Sequence, residues 1–144
     1  MSSPMPPTAI VAQMMEHDAF SKWLGIEVLE VEAGYCKISM QVRPEMVNGF
    51  GILHGGVSFS FADSAFAFAS NSRGQHAVSV DTSINHLAAV QIGDVLTAVA
   101  EELDVGRKLA HYQVIVFRKP EEKVALFKGM VYRKDQAWEI QSKD

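Results

Sequence analysis

The sequence predicts an α+β fold in which a curved antiparallel β-sheet wraps around one long central helix, preceded by a short N-terminal helix. Three observations lead to this prediction. The chain has a single long segment with helical spacing, strand-like runs lie on both sides of it, and the helix is apolar on nearly every face. Because such a helix has no face suited to water, other elements must cover it.

Length and composition fit one domain with an ordinary hydrophobic core. The chain has 144 residues, of which 48% are hydrophobic and 21% are charged. The single cysteine, Cys36, cannot form an internal disulfide, and the net charge of −4 argues against nucleic-acid binding. No apolar run reaches the roughly 18 residues of a membrane span, and the N-terminus lacks a secretory signal pattern. These features predict a cytoplasmic protein with no nucleic-acid or membrane partner.

The N-terminal part is predicted to hold a loose tail, a broken helix and a β-hairpin. Residues 1–7 contain three of the five prolines, which favours a disordered tail. Apolar residues then recur at helical spacing over 8–24, where Asp18 can cap the second part of the helix. Two alternating runs follow, and the break at Ala33-Gly34 predicts a hairpin.

The rest of the chain is predicted to be a loop, the central helix and four strands. Residues 44–53 contain proline, asparagine and glycine and form the loop. The helix spans 55–72, with Gly74 as its stop signal. Strand-like runs cover about 76–88, 94–105, 108–118 and 122–133. The single domain is therefore expected over 8–134, with a C-terminal tail over 135–144.

Asp63 is the residue of the predicted helix that fits a buried core least well. Steps of three and four residues place it on one face with Phe59 and Phe66. Burying an unpaired carboxylate costs several kcal/mol. The Asp63 carboxylate is therefore expected to be exposed at a groove, to accept hydrogen bonds from specific donors, or to have a catalytic role. The purely structural alternative is that it caps a neighbouring loop or lies at a subunit boundary.

The start of the same helix carries two glycines, in the sequence His54-Gly55-Gly56. Backbone N–H groups at a helix start lack intrahelical acceptors, and together with the helix dipole they favour a negatively charged oxygen. Acyl transfer needs such donors when the carbonyl oxygen becomes an oxyanion. The alternative is that the glycines only permit a tight turn and close packing.

The distance between these two features indicates a site shared by two chains. Gly55 and Asp63 are eight residues apart, which is about 12 Å along one helix. Both cannot act on one carbonyl group within a single chain. A shared site would take the helix start from one protomer and the aspartate from the other.

Two segments stand out, Asn48-Gly-Phe-Gly-Ile-Leu-His-Gly-Gly56 and Ala62-Asp-Ser-Ala-Phe-Ala-Phe-Ala-Ser-Asn-Ser-Arg-Gly74. They resemble the hotdog-fold acyl-CoA thioesterases, and most closely their phenylacetic-acid-degradation (PaaI-type) branch. The late segment Val124-Ala-Leu-Phe-Lys-Gly-Met-Val-Tyr-Arg133 is also similar to that branch. The resemblance covers about residues 20–134. It implies a homodimer with shared active sites, and two such dimers are expected to form a tetramer.

The resemblance also implies roles for the two segments. Asp63 would activate water as a general base or attack the thioester itself, and the N–H of Gly55 would bind the thioester carbonyl. Asn48 would help to place water or substrate, and His54 would support the loop. Gly56, the second glycine of the helix start, is expected to contribute to substrate binding.

Further contacts are expected on the strands after the helix. Relatives carry a serine or threonine near the water, for which Ser79 is the best match and Thr82 the second. They often have an aromatic residue and Leu-Arg-Pro where this chain has His86-Leu-Ala-Ala89, so a CoA-phosphate contact from that arginine does not carry over. Arg107 and Lys108 could meet the CoA phosphates instead, or form a solvated basic turn.

The expected reaction is hydrolysis of an acyl-CoA, with an aryl-acetyl group such as phenylacetyl or hydroxyphenylacetyl. No cofactor is expected, because CoA is part of the substrate. The five histidines show no close metal-binding spacing, so no metal site is expected. The alternatives are a hydratase or dehydratase of the same fold, using His54 with Asp63, and a non-enzymatic acyl-CoA-binding protein.

Overall fold

The computed structural model of the chain describes residues 4–140. Its elements are α1 (Pro7–His17), α2 (Ala19–Leu24), β1 (Glu27–Glu32), β2 (Tyr35–Gln41), α3 (Gly55–Asn71), β3 (Gln75–His86), β4 (Val95–Val105), β5 (Leu109–Arg118) and β6 (Lys123–Ala137). A single 3-10 turn, Pro44–Met46, lies in the loop before α3. The predicted α+β architecture is confirmed, since one antiparallel sheet packs around α3. Among residues 4–140, no helix has both the length and the apolarity needed to cross a membrane.

The order of strands in the sheet is β1-β2-β4-β5-β6-β3, so β1 and β3 form its two edges. The β1 edge carries Glu27, Glu30 and Glu32, and charges of this kind oppose pairing with another strand. The β3 edge exposes Val78 and Val80, which are 42% and 52% accessible, and the β1 edge also exposes Val28 and Leu29, at 37% and 49%. The three glutamates make β1 the less suited of the two edges to pair with a second chain.

The core lies between α3 and the inner face of the sheet. Ala62, Ala65 and Ala69 are fully buried and form a stripe of small side chains that allows the helix to approach the strands closely. On another side of the helix, Phe66 packs against Phe127 of β6, with their ring centroids 5.4 Å apart. A Cβ atom on Gly129 would lie 2.5 Å from Phe66 Cζ, so only glycine fits there.

The broken N-terminal helix is confirmed as α1 and α2. Asp18 caps α2, because its Oδ1 accepts a hydrogen bond from the Ser21 N–H at 2.9 Å. Gly25, with φ of +77°, ends α2 in the left-handed conformation. The tail expected over residues 1–7 overlaps α1 at Pro7, and its first three residues lie outside the described part of the chain.

The C-terminal end of the fold differs from the expected tail over 135–144. Strand β6 continues past residue 134 to Ala137, where it pairs with Gln75. Trp138 then stacks on His76 with ring centroids 4.1 Å apart, and its indole N–H donates to Asn71 Oδ1 at 3.0 Å. The fold therefore includes Trp138, while residues 141–144 lie outside the described range.

Candidate active site

The start of α3 offers one backbone donor that the protein does not use. His54 is the N-cap, and its Nδ1 accepts a hydrogen bond from the Gly56 N–H at 3.0 Å. Within residues 4–140, no group accepts a hydrogen bond from the Gly55 N–H. Of the two glycine donors expected to meet the substrate, Gly55 is thus available, whereas Gly56 is engaged by the cap. The free donor lies at the positive end of the helix dipole.

The loop before α3 is held by its own hydrogen bonds. Asn48 Oδ1 accepts from the Phe50 N–H at 2.9 Å, which forms a tight turn. The Asn48 N–H donates to the Ile52 carbonyl at 2.8 Å, and the His54 N–H donates to the Met46 carbonyl at 2.9 Å. These bonds leave the side-chain NH₂ group of Asn48 without an acceptor in the described structure, so it can donate to water or substrate.

An unexpected histidine lies against Gly55. A Cβ atom on Gly55 would be 3.2 Å from His86 Cε1 and 3.3 Å from His86 Nε2. His86 ends β3 opposite Ala125, on the side of the sheet that faces the helix. It lines an open cleft of about 390 Å³ together with Asn48, Gly55 and Ser58. The sequence signal for this residue is its place in His86-Leu-Ala-Ala89, where the chain departs from the family pattern.

Asp63 lies two turns further along α3 and is half-buried. Burial raises the pKa of its carboxyl group, and the negative charge of Asp18 raises that pKa further. No side chain or backbone group of residues 4–140 donates a hydrogen bond to the Asp63 carboxylate. A carboxylate with a raised pKa and no fixed donor is suited to accept a proton near neutral pH.

Within one chain, Asp63 does not reach the cleft at Gly55. The cleft is lined by the loop, the first turn of α3 and the end of β3, but not by Asp63. The sheet also leaves one strip of α3 partly uncovered, and that strip includes Gly56, Ser60, Asp63 and Ala67. The unused donor and the aspartate thus lie apart along one helix, and the aspartate faces an open strip.

The two hydroxyl residues expected near the site lie on β3. Ser79 pairs with Val131 and Thr82 with Gly129, both of which are on the buried side of β6. Thr82 is the closer of the two to the Asp63 region, because its partner Gly129 contacts Phe66, three residues after Asp63. Ser79 lies further towards the C-terminal end of α3.

The basic pair Arg107 and Lys108 lies in the turn between β4 and β5, and both side chains are exposed. The adjacent residue Leu109 pairs with Tyr132, which in turn pairs with Val78 of β3. His86 is eight residues further along β3, a distance of about 26 Å in an extended strand. In one chain, the basic pair is therefore at the opposite end of the sheet from the Gly55 cleft.

Comparisons with known proteins identify the family of the chain. The thioesterase superfamily model matches residues 50–125, which include both Gly55 and Asp63. The acyl-coenzyme A thioesterase PaaI of Escherichia coli K12 is 38% identical over 120 residues, covering 83% of this chain and 86% of that protein.

Solved structures show the same fold. The structure of the E. coli PaaI protein from the phenylacetic acid degradation operon has a TM-score of 0.89 and 35% identity, covering 91% of this chain and 95% of that one. A thioesterase protein with coenzyme A from Streptococcus pneumoniae has a TM-score of 0.75 and 25% identity, covering 78% of this chain and 91% of that one. The chain therefore belongs to the thioesterase superfamily, as a hotdog-fold acyl-CoA thioesterase related to PaaI.

Proposed function

We propose that this thioesterase hydrolyses aryl-acetyl-CoA thioesters, such as phenylacetyl-CoA or hydroxyphenylacetyl-CoA, in active sites shared by two protomers. In each site, the Gly55 N–H of one protomer polarises the thioester carbonyl. Asp63 of the other protomer activates water or attacks the thioester carbon. The observation that carries this proposal is the unused Gly55 donor together with an aspartate of raised pKa, too far apart on one chain to meet at one carbonyl.

The proposed chemistry follows the movement of charge in the reaction. Attack on the carbonyl carbon forms a C–O bond and moves negative charge onto the carbonyl oxygen, where the Gly55 N–H and the helix dipole stabilise it. The C–S bond then breaks, and CoA leaves as a thiol with the proton that Asp63 took from water. If Asp63 attacks directly, a mixed anhydride forms first and water then hydrolyses it.

The free β3 edge supports the proposed dimer. Pairing two copies of β3 antiparallel about a two-fold axis would extend the sheet and cover Val78 and Val80. The two α3 helices would then run antiparallel, so the start of one would approach the middle of the other. This arrangement would bring Gly55 of one protomer towards Asp63 of its partner. Association of two dimers into a tetramer remains a prediction, as does the cytoplasmic location.

The other site residues have supporting roles in this proposal. Asn48 uses its free NH₂ group to place the water or the carbonyl, and His54 holds the helix start through its bond to Gly56. Thr82, whose partner Gly129 lies against Phe66, contacts the water near Asp63 in this proposal, and Ser79 lies further away. A role for Arg107 and Lys108 in binding the CoA phosphates stays a prediction, which the KM of a double alanine variant would test.

The test is thiol release, followed with Ellman's reagent, from phenylacetyl-, hydroxyphenylacetyl-, benzoyl- and medium-chain acyl-CoA. The highest kcat/KM is expected for an aryl-acetyl substrate. Asp63→Asn should lower turnover by at least about 10²-fold, within the usual range for a positioned base. The exposed Asp104 on β4 provides a matched control, since Asp104→Asn should leave turnover unchanged.

Three outcomes would contradict the proposal. Preference for long straight chains would reject the aryl-acetyl group. Near wild-type turnover in a folded Asp63→Asn protein would reject the role of Asp63. Loss of enoyl absorbance from an enoyl-CoA without thiol release would indicate a hydratase instead.

A further inference from the structure

Asp18 lies at the junction of α1 and α2, beside the helix that carries Asp63. Its carboxylate accepts two hydrogen bonds from one residue: the Ser21 N–H lies 2.9 Å from Oδ1, and the Ser21 hydroxyl lies 2.7 Å from Oδ2. Both oxygens are thus held in one orientation. A serine or asparagine would cap α2 equally well, so capping alone does not require a negative charge at this position.

A buried hydrogen bond connects Asp18 to α3. The Ser21 Oγ lies 2.8 Å from the Ser64 Oγ, and these serines are 1% and 8% exposed. Because the Ser21 hydroxyl proton is directed to Asp18, the Ser64 hydroxyl must be the donor in this bond. Ser64 directly follows Asp63 in the chain. The chain of bonds therefore fixes the Asp18 carboxylate relative to the part of α3 that carries Asp63.

Other charged or titratable groups lie on the elements packed against α3, among them Glu16, His17, Lys22, His76, Asp81, His86, Glu102, Tyr112 and Arg133. Burial is the main cause of the raised pKa of Asp63, and the negative charge of Asp18 is the second. Two carboxylates held close together oppose each other's ionisation.

We propose that Asp18 is a positioning residue for hydrolysis, which holds a second negative charge beside Asp63 and thereby makes Asp63 a stronger base. This inference rests on the proposed function, in which Asp63 takes a proton from water. A base that binds its proton more tightly removes a proton from water more readily, but it is ionised over a narrower range at acid pH. Asp18 therefore raises turnover at neutral pH and lowers activity at acid pH.

The variant Asp18→Asn tests this role, because asparagine removes the charge and keeps an oxygen that accepts from the Ser21 N–H and caps α2. Its amide NH₂ would donate to the Ser21 Oγ, so the second bond to Ser21 would reverse its direction. In a plot of kcat/KM against pH, the acid limb, where activity falls because Asp63 becomes protonated, should move to lower pH. The plateau kcat should fall by less than about tenfold, as expected for a weaker base. The kcat/KM of the variant should therefore be below that of the wild type at neutral pH and above it at acid pH, so the two pH profiles should cross. Damage to the fold would lower the activity of the variant at every pH, and the two profiles would not cross.

Two further variants complete the test. Asp18→Ser keeps a capping oxygen without the charge and should move the acid limb in the same direction. Glu16→Gln, an exposed carboxylate of α1, is the matched control and should leave the profile unchanged. An unshifted acid limb in folded Asp18→Asn and Asp18→Ser proteins would overturn the role of Asp18.

The assay of Asp63→Asn separates this inference from the proposed function. If Asp63→Asn is inactive and Asp18→Asn has an unshifted profile, only the role of Asp18 fails. If Asp63→Asn keeps its activity, the proposed function fails, and the role of Asp18 fails with it.

Discussion

Asp63 should destabilise the folded protein at neutral pH, because its pKa is raised by burial and by the charge of Asp18. A folded-state pKa above the unfolded value means that the folded protein binds more protons between those two values. The free energy of unfolding therefore falls as the pH rises through that window. Asparagine has a similar shape and cannot ionise, so it removes this penalty.

We therefore expect Asp63→Asn to raise the Tm at pH 7, although we also expect it to lower turnover. The gain should vanish at a pH low enough to protonate Asp63 in the wild type. Thermal unfolding at a series of pH values measures this difference, with Asp104→Asn as the control. A lower Tm for Asp63→Asn at pH 7 would show that the carboxylate stabilises the fold through donors.

The Gly55 donor can be removed by proline, because Gly55 is the first residue of α3 and proline is favoured there. His54 has an extended backbone, with φ of −64° and ψ of 133°, which suits a residue before proline. Gly55→Pro should lower kcat by roughly 10²–10³-fold, the usual effect of losing one oxyanion donor.

Gly55→Ala is the matched control for this variant, since it keeps the N–H and adds a similar contact with His86. It should retain most of the activity. Equal losses in the proline and alanine variants would mean that crowding at His86, and not the missing donor, lowers kcat.

At the residue scale, the sequence predicts candidate site residues where a side chain does not suit the segment that contains it. Asp63 was found because a carboxylate interrupts an apolar helix, and Gly55 because glycine at a helix start exposes a donor. His86 reaches Gly55 only through the register of β3 with β6. The capture of the Gly56 N–H by His54 depends on a side-chain conformation. Neither feature can be deduced from local spacing.

At the scale of elements, the contact between α3 and β6 depends on one glycine. Gly129→Ala should destabilise the fold by about 1–3 kcal/mol, a usual cost of overpacking, because the new methyl group would meet the Phe66 ring. Urea denaturation measures this loss. In a Phe66→Leu background the smaller side chain leaves room, so the effect of Gly129→Ala should shrink. If Gly129→Ala lowers the free energy of unfolding equally in the wild type and in the Phe66→Leu protein, the contact with Phe66 is not the cause of the destabilisation.

The elements themselves were predictable where their alternation or helical spacing was regular. The strands begin and end within about two residues of their predicted positions, except at the end of β6. There, residues 134–137 are all exposed, so no alternation of apolar and polar side chains marks them as a strand. Pairing with the start of β3 extends β6, and only the tertiary structure provides that partner.

At the scale of the whole molecule, the two sheet edges have different chemistry. Both edges expose apolar side chains, Val28 and Leu29 on β1 and Val78 and Val80 on β3, but the three glutamates on β1 oppose its pairing with another strand. The distance between Gly55 and Asp63 indicates a shared site from the sequence alone. The proposal that β3 is the pairing edge depends on the order of strands in the sheet, because the sequence alone does not indicate which strands lie at the edges.

The central claim, that each site combines the start of α3 from one protomer with Asp63 from another, can be tested by mixing two inactive variants. Gly55→Pro and Asp63→Asn proteins are unfolded together in equal amounts, refolded, and assayed for thiol release. A mixed dimer would contain one site with both substitutions and one intact site. Random pairing should therefore restore about a quarter of wild-type turnover. Activity no higher than that of the separate variants, in a refolded mixture that contains mixed dimers, would contradict the shared site.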